Sequence, residues 1–95
     1  MSYRLSDIIS RLGGELRGAD VLVQRIAPSE EAVTDDITFL ANLKYKAAVL
    51  ASHAGAVIVS PKAAADFGGR SLIIADDPYL YFAKVARLFY PVVQA

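Results

Sequence analysis

Two short apolar runs, each followed by a cap-and-proline pair, constrain this chain more than any other feature. Ala56-Val57-Ile58-Val59 leads into Ser60-Pro61, and Ser71-Leu72-Ile73-Ile74-Ala75 leads across Asp76 into Asp77-Pro78. A strand with one wet face alternates apolar and polar residues, whereas an unbroken apolar run needs cover on both faces. Serine or aspartate before proline is the signature of a helix N-cap and first turn. Each run therefore predicts a buried strand that passes directly into a helix. A third short strand, Ile37-Thr38-Phe39-Leu40, follows Asp35-Asp36. After it, Leu43, Ala47, Leu50, Ala51 and Ala54 fall at helical spacing and predict a buried helical face closed by Gly55. Strand and helix thus alternate through the second half. This predicts an α/β fold, a small mixed sheet whose strands are largely parallel in the second half, flanked by helices.

The first half is less regular. Leu5, Ile8, Ile9 and Leu12 form the stripe of one helical face, with Ser6 as the expected N-cap and Gly13-Gly14 as the left-handed stop. Residues 15–26 read as a hairpin: Glu15-Leu16-Arg17, a turn at Gly18-Ala19-Asp20, then the β-branched stretch from Val21 to Ile26. Pro28-Ser29-Glu30-Glu31 breaks the pattern. Gly68-Gly69 closes the short helix after Ser60-Pro61. The last helix runs from Asp77-Pro78 through Phe89, with Pro91 as its terminator.

Composition removes several function classes. At 95 residues one domain is expected, and an apolar fraction of 55%, including 16 alanines, excludes a disordered chain. The alanines suggest closely packed helices. The absence of cysteine excludes disulfide scaffolds, iron–sulfur sites and thiolate zinc sites, and a single histidine excludes a multi-histidine metal site. Ten basic against ten acidic residues argue against a protein that tracks nucleic-acid phosphates. No apolar run approaches the roughly 18–20 residues of a bilayer span. Arg4, Asp7 and Arg11 interrupt the N-terminal stretch, which therefore does not read as a secretory signal. A soluble cytoplasmic domain is the expectation.

The catalytic inventory is thin. His53 sits near the end of the predicted Leu43–Ala54 helix with no orienting partner in sight. Asp35-Asp36 and Asp76-Asp77 are adjacent carboxylates that point apart, and Asp77 is better read as a helix cap. No glycine pattern spells out a phosphate cradle. No cofactor and no metal ion are expected. The informative stretch is Ile37-Thr38-Phe39-Leu40-Ala41-Asn42-Leu43-Lys44-Tyr45. Asn42 and Tyr45, three apart at a helix start, share a face that is not the predicted core stripe. An aromatic at a strand end and another at a helix start can hold a planar base, and a carboxamide between them can read the N3–H and O4 edge of uracil. The same residues also fit plainer roles: Phe39 in the core, Tyr45 on the surface, Asn42 as an N-cap. One side-chain oxygen of Asn42 would have to serve both cap and base. Lys44, Lys46 and Arg70 have the right sign for phosphates, although each also fits a solvated surface charge.

The run from Ile37 to Tyr45 resembles the uridine-binding segment of the UDP-3-O-acylglucosamine N-acyltransferases, enzymes of lipid A synthesis in Gram-negative bacteria. Arg4 to Gly18, Ala56 to Val59 and Asp77 to Ala86 extend the likeness in order along nearly the whole chain. The resemblance implies that Phe39, Asn42 and Tyr45 hold the uracil. Two departures stand out: Leu43 where the family commonly has proline, and Asp77 where it commonly has asparagine, a swap that preserves capping. The resemblance further implies a continuation into a left-handed β-helix carrying the catalytic histidine, the acyl-carrier-protein surface and the trimer contacts, none of which is in residues 1–95. His53 is then not the catalytic histidine. The chain is expected to be a single N-terminal nucleotide-recognition domain, non-catalytic and monomeric by itself, whose substrate is UDP-3-O-acylglucosamine. The alternatives are the UDP-sugar-binding first domain of a peptidoglycan amino-acid ligase, or a protein-interaction module without a small ligand.

Overall fold

The computed structural model describes residues 2–90. Its elements in chain order are β1 (Tyr3–Arg4), α1 (Leu5–Leu12), β2 (Glu15–Arg17), β3 (Leu22–Val23), β4 (Arg25–Ile26), β5 (Asp36–Phe39), α2 (Lys46–Ala51), β6 (Ala56–Val59), α3 (Pro61–Ala64), β7 (Ser71–Ile74) and α4 (Pro78–Phe89). Single 3-10 turns precede α2 at Leu43–Tyr45 and follow α3 at Ala65–Phe67. Pro91, the expected terminator of α4, lies outside the described residues.

The main sheet has the order β2-β7-β6-β5-β4. Strands β4 to β7 are parallel, and only β2 runs antiparallel, against β7. The unbroken apolar runs are explained by the pleat, which sends alternate residues to opposite faces. Ala56 and Ile58 of β6 join Ile37 and Ile73 in a core that includes Leu5 and Ile8 of α1 and Tyr81 and Val85 of α4. Val57 and Val59 join Leu72, Ile74, Val49 of α2, and Ala63, Ala64 and Phe67 around α3. Both faces of the sheet are thus covered, as an α/β layer with parallel strands requires. Each fully buried Val, Ile or Leu contributes roughly 1.5–3 kcal/mol of transfer free energy.

The expected caps at Ser60 and Asp77 are present. Ser60 Oγ accepts from the backbone N–H of Ala63 at 3.2 Å, and Asp77 Oδ1 accepts from that of Leu80 at 3.1 Å. Gly13 and Gly14 both adopt positive φ at the end of α1. The Tyr81 hydroxyl donates to the Gly13 carbonyl at 2.6 Å and ties α4 to that turn. Burial pushes the Tyr81 phenol up to about 12, so it remains a neutral donor at ordinary pH.

Three sequence expectations are corrected. Ser6 is not the cap of α1. The helix starts at Leu5 behind Arg4, and Asp20, reaching in from the β2–β3 connection, accepts from the Ser6 N–H at 2.9 Å and its hydroxyl at 2.7 Å. Those hydrogen bonds hold the Asp20 carboxyl below the usual range. Residues 15–26 are not a hairpin. Leu16 is in register with Ile73, Leu22–Val23 pairs with Tyr3–Arg4, and Arg25–Ile26 runs parallel to β5. Gly18, at φ +84 just after β2, sits where a Cβ would collide with the Arg70 carbonyl, so only glycine fits beside the start of β7. Finally, the predicted face of the helix after Leu43 is largely wet. Leu43, Ala47, Leu50 and Ala51 are exposed, and Val49 is the buried residue of α2. The 3-10 turn at Leu43–Tyr45 changes the angular phase, so a stripe counted at 3.6 residues per turn from Leu43 misses the face that packs. The helix also ends earlier than expected, at Ala51 with Ser52 as its C-cap, and Gly55 does not close it; a glycine stands there because a Cβ would collide with the Thr34 carbonyl oxygen.

Candidate functional site

In open parallel sheets, ligands collect beyond the carboxyl ends of the strands, where loops rather than ladders hold the backbone. Here Phe39 is the last residue of β5 and Leu40 extends it by bonding its N–H to the Ile58 carbonyl at 2.9 Å. A cleft of about 260 Å³ opens there, lined by Pro28, Ser29, Glu30, Thr38, Phe39, Leu40, Ala41, Asn42, Tyr45 and Val49. It brings together the three residues singled out in the sequence. It lies below the roughly 300–1,000 Å³ typical of drug-sized ligands, which suits a nucleoside better than an entire nucleotide sugar.

The three side chains are held differently. Phe39 is half-buried. Its ring stacks on Phe82 of α4 with centroids 4.2 Å apart and tilts toward Tyr79 at 6.0 Å. Pleating places Phe39 on the same face as Ile37 and Ile58, so its core role and its place at the cleft coexist. Tyr45 is 54% exposed, and Lys44 Nζ sits 5.5 Å from the centre of its ring. Asn42 caps the 3-10 turn: its Oδ1 accepts from the Lys44 backbone N–H at 3.0 Å, and its carbonyl accepts from the Tyr45 N–H at 2.9 Å. The two roles weighed for Asn42 are compatible, because the cap uses one lone pair of Oδ1 and leaves the amide NH₂ free.

The structure does not gather the proposed phosphate residues at this cleft. Arg70 is elsewhere, and its guanidinium donates to the carbonyls of Leu50, Ser52 and Ala54 at 3.2, 3.3 and 3.0 Å. It closes the C-terminal end of α2, where orphan carbonyls and the helix dipole favour a cation. Lys46 forms an ion pair with Asp66 at 3.1 Å and lines a neighbouring depression of about 620 Å³ that shares Leu40 and Ala41 with the first. That depression also contains Lys62, Asp76, Asp77 and Tyr79. Its carboxylates offset its lysines, so it is no anion cradle. Lys44, with its ammonium beside the Tyr45 ring, borders the candidate base site.

Other polar groups have structural duties. Asp36 is fully buried, and its carboxylate accepts a two-pronged bond from Arg25, Nε to Oδ1 at 2.9 Å and Nη2 to Oδ2 at 3.0 Å, plus the Val33 N–H at 3.0 Å. The Arg25 hydrogen bond leads in holding the Asp36 carboxyl below its usual range against the opposing effect of burial. His53 is exposed just beyond α2. Among the described residues no group of three or more histidine, aspartate or glutamate side chains converges as a metal site, and no helix is long and apolar enough to cross a membrane.

Ser29 and Glu30, by sequence only a break in pattern, also line this cleft. The signal was a Pro-Ser-Glu turn directly after a β-branched segment. Its meaning depended on β4 lying parallel to β5, which brings both carboxyl-end loops to one cleft.

A family model described as UDP-3-O-(3-hydroxymyristoyl) glucosamine N-acyltransferase, LpxD, matches residues 20–88. A UDP-3-O-acylglucosamine N-acyltransferase of Neisseria meningitidis serogroup B is 64% identical over 94 residues, covering 99% of this chain and 27% of its own length. One from Neisseria gonorrhoeae is 64% identical over 91 residues, 96% of this chain and 26% of its own. One from Aromatoleum aromaticum is 48% identical over 90 residues, 94% of this chain and 26% of its own. The chain therefore spans about a quarter of the length of these curated relatives.

Proposed function

The chain belongs to the UDP-3-O-acylglucosamine N-acyltransferase family, and from that premise we propose that it is a non-catalytic domain gripping the uridine of a UDP-linked substrate through Phe39, Asn42 and Tyr45. The observation that carries the reading is that these three residues line one nucleoside-sized cleft at the carboxyl end of β5. The orientation of Asn42 supports uracil in particular. With Oδ1 turned to the Lys44 N–H, the amide NH₂ is a donor for the O4 carbonyl, and the second lone pair of Oδ1 remains for N3–H. Cytosine would oppose a donor with its own amino group and would lack N3–H. A module with no small ligand would have no gap between Phe39 and Tyr45, so their shared cleft counts against that alternative. The acyltransferase names of the relatives weigh against the ligase alternative.

In the whole enzyme this domain anchors UDP-3-O-acylglucosamine while the glucosamine amine attacks the thioester of an acyl carrier protein. A C–N bond forms, the C–S bond breaks, and the carrier thiol leaves. No residue of this chain makes or breaks those bonds. Its contribution is binding energy, remote from the reacting atoms, that holds the amine in place. The catalytic histidine, the carrier contact and the trimer interface are assigned to the β-helix that follows in the family, and the site of action to the cytoplasm.

Stacking supplies about 1–3 kcal/mol per base and each hydrogen bond about 0.5–1.5 kcal/mol. Association entropy offsets several kcal/mol of that, which leaves a Kd on the order of millimolar for the domain alone. Titration with UMP and with UDP-N-acetylglucosamine, followed by amide chemical shifts, is the test. The segment from Phe39 to Tyr45 is expected to move. A folded domain in which that segment stays still at millimolar ligand rules the uridine assignment out.

A further inference from the structure

Among the described residues, Glu30 is the one charged side chain that lines the Phe39–Tyr45 cleft, and its charge is negative. A carboxylate is a poor neighbour for a phosphate, so in a nucleotide site it needs another purpose. It sits in the turn after β4, where the N–H groups of Glu31 and Ala32 both bond the Pro28 carbonyl at 3.0 Å. That turn and the Asn42–Tyr45 turn come from neighbouring parallel strands and meet at the same cleft. The Ser29 hydroxyl donates to Glu30 Oε2 at 3.2 Å and orients the carboxylate. No lysine or arginine pairs with Glu30 among the described residues, and Oε1 has no partner there.

We infer that Glu30, oriented by Ser29, accepts hydrogen bonds from the ribose hydroxyls of the bound nucleoside and makes the cleft selective for ribonucleotides over deoxyribonucleotides. The inference rests on the uridine reading above. Its chemistry follows from the donors available. Once N1 of uracil carries the sugar, N3–H is the only base donor left, and Asn42 is placed for that edge. The remaining neutral donors are the sugar hydroxyls, and a carboxylate with a free oxygen is the strongest acceptor for them. The charge also sets direction. Glu30 repels the phosphates, while Lys44 attracts them from the Tyr45 side, so the sugar faces the β4 turn and the phosphates leave the cleft.

The test compares UMP with 2′-deoxyuridine monophosphate on the wild-type chain and on Glu30→Ala, read by chemical-shift titration. Glu30 is exposed in a turn, so the variant is expected to fold. Removing its charge also relieves repulsion of the phosphate, so the ratio of the two affinities is the readout. Wild type is expected to prefer UMP by about tenfold, the effect of one hydrogen bond to a charged group, and Glu30→Ala to bind the two about equally. Equal binding by wild type, or a preference that survives in Glu30→Ala, overturns the assignment of Glu30 while the uridine reading stands. If neither ligand moves the Phe39–Tyr45 segment of wild type, the uridine reading falls and this inference falls with it.

Discussion

The side-chain oxygen of Asn42 accepts a hydrogen bond from the Lys44 backbone N–H at 3.0 Å. The residue proposed to read a base is therefore also the cap of the turn that presents it. Capping fixes which end of the carboxamide faces the protein and which end is offered to a ligand.

That double duty separates two substitutions. Asn42→Asp retains the capping oxygen and loses the NH₂ donor, so its stability is expected to match wild type while UMP binding falls about tenfold or more. Asn42→Ala loses both functions and is expected to cost a further ~1 kcal/mol of stability. Thermal melts beside UMP titrations measure the two effects. Wild-type UMP affinity in Asn42→Asp would refute the donor role.

Phe39 and Tyr45 should differ in the same way. Tyr45 is exposed, so Tyr45→Ala is expected to leave the melting temperature unchanged and to weaken UMP by about 1–3 kcal/mol of lost stacking. Tyr45→Phe keeps the ring and should keep the affinity. Phe39→Ala also removes the stack on Phe82 and is expected to destabilise the fold by about 3 kcal/mol, toward the low end for a phenylalanine that is only half-buried. If Tyr45→Ala binds UMP as wild type does, stacking on Tyr45 is not part of recognition.

Arg70 is expected to support the fold and not the ligand. Arg70→Gln deprives the Leu50, Ser52 and Ala54 carbonyls of their shared cation. Its melting temperature should drop by about 4–8 °C, the shift that ~1 kcal/mol produces in a domain of this size. UMP affinity should stay within about twofold of wild type. A large loss of affinity at unchanged stability would restore Arg70 to the phosphate role.

Acid stability should depend on Asp36. Its folded-state carboxyl is held below the unfolded value of 3.8, chiefly by the Arg25 hydrogen bond. The unfolded chain then binds the proton more readily, so this stabilisation is fully present above the unfolded pKa and is lost as pH falls through the folded one. Wild type should lose stability steadily below about pH 4. Asp36→Asn should be less stable at neutral pH and show a flatter acid limb, with the residual slope including the likewise depressed Asp20. Denaturant unfolding at a series of pH values measures both limbs, and parallel curves for the two proteins would exclude the Asp36 contribution.

Features that depend on near neighbours along the chain could be read from the residues alone. The runs Ala56–Val59 and Ser71–Ile74 became central strands, Ser60 and Asp77 capped the helices that follow, and Gly13-Gly14 stopped α1. Apolar runs and caps act over a few residues and carry their meaning with them. The positions of Phe39, Asn42 and Tyr45, at a strand end and the turn after it, were legible for the same reason.

Features under the control of distant partners emerged only on folding. Glu15–Arg17 had a plausible local mate in residues 21–26, but an isolated two-stranded hairpin is only marginally stable, and β7 offered a place in a five-stranded sheet. The 3-10 turn rotated α2 away from its expected face and left Val49 to pack. Arg70 had the sign of a phosphate ligand and was taken by the open end of a helix about twenty residues back, a matter of reach across the fold. Glu30 gained meaning only when β4 settled parallel to β5 and set its turn beside the cleft. Strand partners and charge partners are chosen by burial and distance in space, which local periodicity does not record.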